Sequence, residues 1–391
     1  MARGKSGDRV DRIAAKLRRD GLEHVRFELP DMPGSARSKQ VPIEAFEQFA
    51  RDGIGMYGGI IAVDTSSHVV PGSRYNEEVN YRDQILIPDW KTLAPVPWLK
   101  NTARVICDTE WAPGEPLRAA PRYVMGEMLK HIDKLGFKAV MSHEYEFYVL
   151  DRETRQPFFD GLHIFNNLRN EHLPVIREVV DYLRAAGLPM LTANAEYAPS
   201  QFELVYSHVE GMAGADNAYT FKNGVKEIVQ QAGQLATFMT KPFAGSAGSG
   251  CHYHVSLVRK KGGRSAFIDR SKPDGMTDTL KYFVQGIIDH GAACMALFNP
   301  TPNCYRRLRP HTFAPSNISW GEDDRSAMVR IKAPRSKSMH VEMRAAAAIS
   351  NPYLTAAGTL ACGILGLKEK RKLGRQSDGP SEEDSSLPPF P

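Results

Sequence analysis

Residues 137–150 read FKAVMSHEYEFYVL, an apolar run broken by two glutamates at alternate positions. Side chains along a strand alternate between its faces. Glu144 and Glu146 therefore share a face, which Val140, His143 and Phe147 cannot all join. The same reading applied outward gathers more polar residues. In CHYHVS (251–256), His252, His254 and Ser256 share a face; in HVEMR (340–344), His340, Glu342 and Arg344 do. AMVRI (327–331) adds Arg330, and Glu196 and Glu203 flank a turn at Ala198, Pro199 and Ser200. Buried unpaired charges cost several kcal/mol each, so such a face cannot pack against an apolar layer. It must line a wet cavity or bind ions. Carboxylates with histidines suit Mg²⁺ or Mn²⁺, and arginines suit phosphates and carboxylates. Together they outline a phosphoryl-transfer site. Singly, each has a plainer reading: an ExE strand as a solvent-facing edge, HxH as structural, the arginines as surface ion pairs. Their coincidence favours the site.

With 42% hydrophobic and 24% charged residues over 391 positions, the chain is an ordinary globular one, long enough for two or three domains. Lys and Arg number 50 against 45 Asp and Glu, an excess too small to argue for nucleic acid. The basic run 368–372 contains Glu369 and reads as a solvated helix end. No basic, aromatic-rich stripe occurs, so nucleic acid is not an expected partner. The five cysteines are scattered and odd in number, without a CxxC pair. They suggest neither a disulfide framework nor a zinc knuckle and fit a reducing compartment, here the cytoplasm. The basic N-terminus leads into VDRI (10–13), not the apolar run of a secretory signal. Residues 345–367 are uncharged, but Asn351, Pro352 and three glycines interrupt them. They predict a buried helix starting near Pro352, not a membrane span.

Periodicity predicts a helix over 8–19 with Val10, Ile13, Ala14 and Leu17 on one side. Short apolar stretches and turns over 20–110 predict a small β-rich domain. Pro/Gly-rich residues 112–116 mark a boundary, and helices alternate with strands over 111–375. Helices are expected over 121–135 and 170–186, stopped by Gly136 and Gly187. The tail, 376–391, is expected to be extended or mobile.

The order and content of these motifs resemble the glutamine synthetase family over about residues 20–370. SHEYEF (142–147) and NAEYAPSQFE (194–203) resemble its two acidic metal-ligand motifs. KPFAGSAGSGCHYHVSL (241–257) resembles its glycine-rich loop and His-x-His strand. NPTPNCYRRLRP (299–310), NISWGEDDRSAMVRI (317–331) and MHVEMRAAAAISNPYL (339–354) complete the set. The resemblance implies an α+β fold: a small N-terminal β-grasp domain and a large catalytic domain with a curved antiparallel sheet. It implies that Glu146, Glu196 and Glu203 hold one Mg²⁺ or Mn²⁺ and that Glu144, His252 and Glu342 hold another, with two or more ions per site. Arg307 and Arg344 would grip glutamate beside Gly248. Arg325, Arg330 and Lys337 would face ATP phosphates, with His254 and Ser256 near the nucleotide; Arg325 and Arg344 would also act in catalysis. Sites would form between subunits of a hexameric or dodecameric ring. VDTSS (63–67) matches the segment supplying an amine-binding aspartate, here Asp64, which otherwise reads as a turn residue.

Phosphorylation by ATP would turn the glutamate side-chain carboxylate into an acyl phosphate, and an amine would displace the phosphate. Asp64 would take the amine's proton. The sequence departs from the family at the acceptor end. Phe313 stands where ammonia-using members carry a glutamate, Ala247 where most carry an asparagine, and His340 where most carry an arginine. Ser385 replaces a regulatory tyrosine of some bacterial members. The first expectation is therefore a γ-glutamyl ligase for an organic amine. The alternatives are glutamine synthesis from ammonia, with Phe313 merely packing in its flap, and a non-catalytic homologue, which the retained carboxylates oppose. The carboxylates are expected to bind ions without supporting the core.

Overall fold

The computed structural model describes residues 2–377 and 379–391. The fold is α+β and the chain divides into two compact units. One comprises the residues up to Val124 together with Asp181–Leu188; the other comprises Met125–Val180 and Pro189–Pro391.

The smaller unit is built on a sheet of strands β1 (His24–Pro30), β2 (Ala36–Pro42), β3 (Ile54–Tyr57), β4 (Asp83–Pro88), β5 (Ala94–Pro95), β6 (Thr102–Ala112) and β7 (Glu115–Pro116). The main order is β2-β1-β6-β4-β3, with β5 and β7 paired to β6. β1 and β6 run parallel, His24 opposite Thr102, and the remaining pairs are antiparallel. The helix Ala2–Arg19 lays Val10, Ala14 and Leu17 on Val25, Phe27, Leu29 and Val105. It starts at Ala2, ahead of the expected residue 8. The Pro/Gly-rich residues 112–116 close a hairpin, with Glu110 paired to Pro116 and Gly114 at φ +82°.

The larger unit carries strands β8 (Phe137–Asp151), β9 (Met190–Ala195), β10 (Gln201–Tyr206), β11 (Val209–Glu210), β12 (Gln234–Thr237), β13 (Cys251–Arg259), β14 (Trp320–Glu322), β15 (Val329–Lys332) and β16 (His340–Met343). They form one curled sheet in the order β14-β15-β16-β13-β8-β10-β9, with β11 and β12 also paired to β8. All pairs are antiparallel except β14 with β15. The back of β8 is apolar. Tyr145 and Phe147 pack on Phe221 of helix Met212–Gln231 and on Phe238. Helix Pro121–Lys134 ends before Gly136, at φ +86°. The helix expected over 170–186 is shorter, Val175–Ala185. Pro174 lacks an amide donor and biases Leu173 away from helical backbone. Helix Pro352–Glu369 starts where expected and is buried along most of its length, capped by the Asn351 side chain. Among the described residues, no helix is long and apolar enough to cross a membrane. The tail is extended, but docked: Ser381 is buried and donates to Asp324, and Pro388 accepts from Ile318 N–H.

Candidate active site

Register places the polar residues on the front of the larger sheet. Glu203 on β10 lies opposite Glu146 on β8, and Glu144 lies opposite His252 on β13. His254 lies opposite Glu342 on β16, which lies opposite Arg330 on β15. Directly opposed residues share a face, so one row of carboxylates, imidazoles and guanidinium groups crosses five strands.

The contacts are close. His252 Nδ1 lies 3.1 Å from Glu144 and 3.7 Å from Glu342. Arg330 donates to Glu342 at 3.1 Å and to Asp323 at 3.3 Å. Arg344 donates to the other Glu342 oxygen at 2.5 Å and to the Arg325 carbonyl at 3.0 Å. Glu342 is wholly buried, so its two arginine partners are what make its charge tolerable. The expectation that these carboxylates bind ions without supporting the core does not hold for Glu342, which also pairs with the buried Arg330 and Arg344.

Electrostatics divide the carboxyls into two sets. Burial pushes Glu342 up, but the charges of Arg344, His254 and His252 outweigh it and hold the group well below the usual range. Burial is likewise overcome at Glu144 by His252 and His254. Burial and the Glu146 charge push Glu196 up to about 7. Burial and the charges of Glu144, Glu146 and Glu196 push Glu203 up to about 10.

Donor atoms of Glu144, Glu203 and His252 all lie within 4.8 Å of one another, as do those of Glu144, His254 and Glu342. This grouping differs from the one the resemblance implied: Glu144 belongs to both clusters, and His254 joins Glu342. Glu146 accepts from Gly250 N–H at 2.7 Å, and Glu196 from Asn194 and Tyr197. The residues fit a divalent cation. The Nε2 atom of His252 is buried without a hydrogen-bond partner and that of His254 has the Glu144 carboxylate 3.5 Å away, while Glu203 sits among the charges of Glu144, Glu146 and Glu196.

A pH dependence follows. A carboxyl raised in the fold binds protons that the unfolded chain has lost, so its contribution to stability falls as pH rises. For Glu196 the fall runs from the ordinary value, 4.5, to about 7, and for Glu203 from 4.5 to about 10. A bound cation removes that penalty. The melting-temperature rise caused by Mn²⁺ is therefore expected to be larger at about pH 9 than at about pH 7, with protons released on binding. Equal rises at both pH values, measured by calorimetry in two buffers, would refute the raised carboxyl.

Arg307 is buried beneath the glycine loop, donating to the Ala346 and Arg344 carbonyls, and burial pulls it down to about 10. A Cβ on Gly248 would stand 2.9 Å from its side chain, and one on Gly250 would stand 2.4 Å from it. Both glycines are therefore required by close approach. A cavity of about 470 Å³ opens beside Glu144. His254, Ser256, Lys337 and His340 line it, with an apolar wall that includes Leu191, Val205 and Met339. His340 Nε2 meets His254 Nδ1 at 3.0 Å, and burial and His254 pull His340 down to about 4. Arg325 and Lys337 are exposed.

Phe313 is 60% exposed and stacks on Tyr197, with ring centroids 4.3 Å apart and an interplanar angle of 18°. Its φ of +58° is a costly conformation for an aromatic residue. In the smaller unit, exposed Asp64 accepts from the amides of Ser66 and His68, the turn arrangement foreseen as its plainer role. The His68 amide, followed by that of Ser66, holds its carboxyl below the usual range. Sequence reasoning missed Tyr197, Asp323 and Gly250. Tyr197 follows Glu196, Gly250 ends the glycine loop and Asp323 lies within residues 317–331, so all three stood inside the motifs above, but only the fold shows their contacts.

The family description "Glutamine synthetase, catalytic domain" matches residues 118–386. A glutamate–isopropylamine ligase from a Pseudomonas species is 31% identical over 91% of this chain and 80% of its own. A glutamine synthetase from Thermotoga maritima is 34% identical over 92% and 81%. A solved GmaS complex with ADP superposes with a TM-score of 0.85 at 27% identity, covering 97% of this chain and 87% of the other.

Proposed function

The chain belongs to the glutamine synthetase family, and from that membership we propose that it is a carbon–nitrogen ligase. It joins the side-chain carboxylate of glutamate to an organic amine, using ATP and passing through γ-glutamyl phosphate. The observation that carries the amine reading is Phe313 stacked on Tyr197, an apolar surface where ammonia-using members place a carboxylate. Named relatives on both sides, an amine ligase and a glutamine synthetase, match to a similar degree. Glutamine synthesis is therefore the second reading.

Glu144, Glu146, Glu196, Glu203, His252 and Glu342 would hold Mg²⁺ or Mn²⁺. When bound, the cation offsets phosphate charge as the phosphoryl group moves. The cavity beside His254 and Ser256 has the size and apolar wall for adenine, and Arg325, Arg330 and Lys337 supply positive charge for phosphates. Arg307 and Arg344 hold the glutamate carboxylates beside the Gly248 loop. Arg344 thereby positions the acyl group while Glu342 fixes its guanidinium. Phe313 and Tyr197 cover the alkyl part of the amine and exclude water, which would otherwise hydrolyse the acyl phosphate. Asp64 accepts the amine proton; its low basicity is enough for an ammonium proton lost as the C–N bond forms. The test is ADP release with glutamate and ATP across ammonia, methylamine, ethylamine, putrescine and an arylamine.

In this reading the smaller unit contains the β-grasp domain expected over 20–110, extended to Val124, and it completes a neighbouring subunit's site within a cytoplasmic ring. Mixing inactive Asp64→Ala with inactive Glu144→Gln subunits is expected to restore part of the activity. No recovery in a mixture shown by mass spectrometry to have exchanged subunits would reject shared sites.

A further inference from the structure

Two thiols that this chemistry does not use meet behind the larger sheet. Cys294 ends the short 3₁₀ helix Gly291–Cys294, and Cys362 lies in helix Pro352–Glu369. Their sulfurs are 3.6 Å apart. Cys294 Sγ also lies 3.9 Å from the carbonyl of Gly358, one turn earlier on the same helix. Cys294 is half-buried, whereas Cys362 is almost fully enclosed. The remaining cysteines stand apart: Cys107 and Cys251 are buried, and Cys304 contacts the hydroxyls of Thr240 and Thr301. The scattered, odd set seen in the sequence thus contains one spatial pair.

We propose that Cys294 and Cys362 are a reversible oxidation site, converted by a peroxide into an intrachain disulfide that ties the C-terminal helix to the Gly291–Cys294 turn. A disulfide needs its sulfurs at about 2.0 Å. The sulfurs must therefore close from 3.6 Å as the bond forms. The order of events follows from exposure and charge. Cys294 is the accessible thiol, and the hydrogen bond from Cys362 lowers its pKa, while the same contact and burial raise Cys362. The thiolate is the nucleophile. Cys294 attacks a peroxide oxygen, the O–O bond breaks, and a sulfenic acid forms as the leaving alkoxide or hydroxide takes a proton. The Cys362 sulfur then attacks the Cys294 sulfur. The S–O bond breaks, the departing hydroxide takes the Cys362 proton, and water leaves. With hydrogen peroxide the balance is two thiols oxidised and one peroxide reduced to two waters.

The test treats the full-length protein with one equivalent of hydrogen peroxide. The expected result is an intact mass lower by two hydrogens. Alkylatable thiols should fall from five to three, with a Cys294–Cys362 cross-link in the non-reducing peptide map and full reversal by dithiothreitol. Cys294→Ser should abolish the cross-link. Cys362→Ser should leave a Cys294 sulfenic acid that dimedone traps, a readout that stands even if the other variant fails to fold. Five thiols remaining, a cross-link elsewhere, or overoxidation of Cys294 with Cys362 intact would overturn the proposal.

Discussion

Glu144→Gln is expected to lower ADP formation by at least about a thousandfold, about 4 kcal/mol of transition-state stabilisation, with little change in melting temperature. Glu144 is the one carboxylate shared by both candidate ligand clusters, so its charge serves both positions. Glutamine keeps the shape and still accepts a hydrogen bond from His252, now 3.1 Å away. What it removes is the anionic oxygen a hard divalent cation requires. Mn²⁺ titration followed by electron paramagnetic resonance should show weakened binding in parallel. Turnover within tenfold of wild type would reject the ligand assignment. Glu342→Ala is a poorer probe. It strands Arg330 and Arg344 in a buried setting, where breaking such a pair costs about 3–5 kcal/mol of stability. Activity lost there would not distinguish a missing ligand from a damaged fold.

The second large effect concerns the acceptor. Ethylamine is expected to exceed ammonia in kcat/KM by at least about tenfold, or about 1.4 kcal/mol. Ammonium is small and strongly hydrated, and its capture needs several acceptor groups to offset desolvation. A phenyl ring offers none. It does offer apolar surface, worth about 0.8 kcal/mol per buried methylene, and the Tyr197 ring 4.3 Å away extends that surface. Phe313→Ala should cut the preference for ethylamine while leaving the KM values for ATP and glutamate near wild type. Phe313→Glu should shift it towards ammonia. If ammonia wins by tenfold in the unaltered protein, glutamine synthesis replaces the amine reading.

The front of the sheet was legible because period-two alternation is a local property. Glu144 and Glu146, His252 and His254, and Glu342 with Arg344 each declare their shared face within a few residues. Which of them meet across strands was not legible. That depends on register, and a shift of one residue moves every side chain to the other face. The partnership of His254 with Glu342 in one cluster is such a case. The docking of the tail was not legible for another reason. Its Ser, Pro and acidic composition suggests an extended or mobile segment, yet a few specific hydrogen bonds to Asp324 and Ser326 dock it. Composition counts apolar area and is blind to such contacts. The Phe313–Tyr197 stack joins residues far apart in sequence, one of them in left-handed backbone, and no periodicity encodes it.

β8 also bears on how the protein is made. It is the strand on which both wings of the larger sheet are hung, and its partner His252 lies 108 positions beyond Glu144. At about 5–20 residues per second, a ribosome needs about 5–20 s to deliver that partner. For most of this interval the nascent chain carries β8 with the edge later covered by β12 and β13 unpaired, an invitation to pair with a neighbouring chain on the same message. The acidic residues along that strand, whose mutual repulsion must be tolerated in the finished site, also discourage such pairing during synthesis.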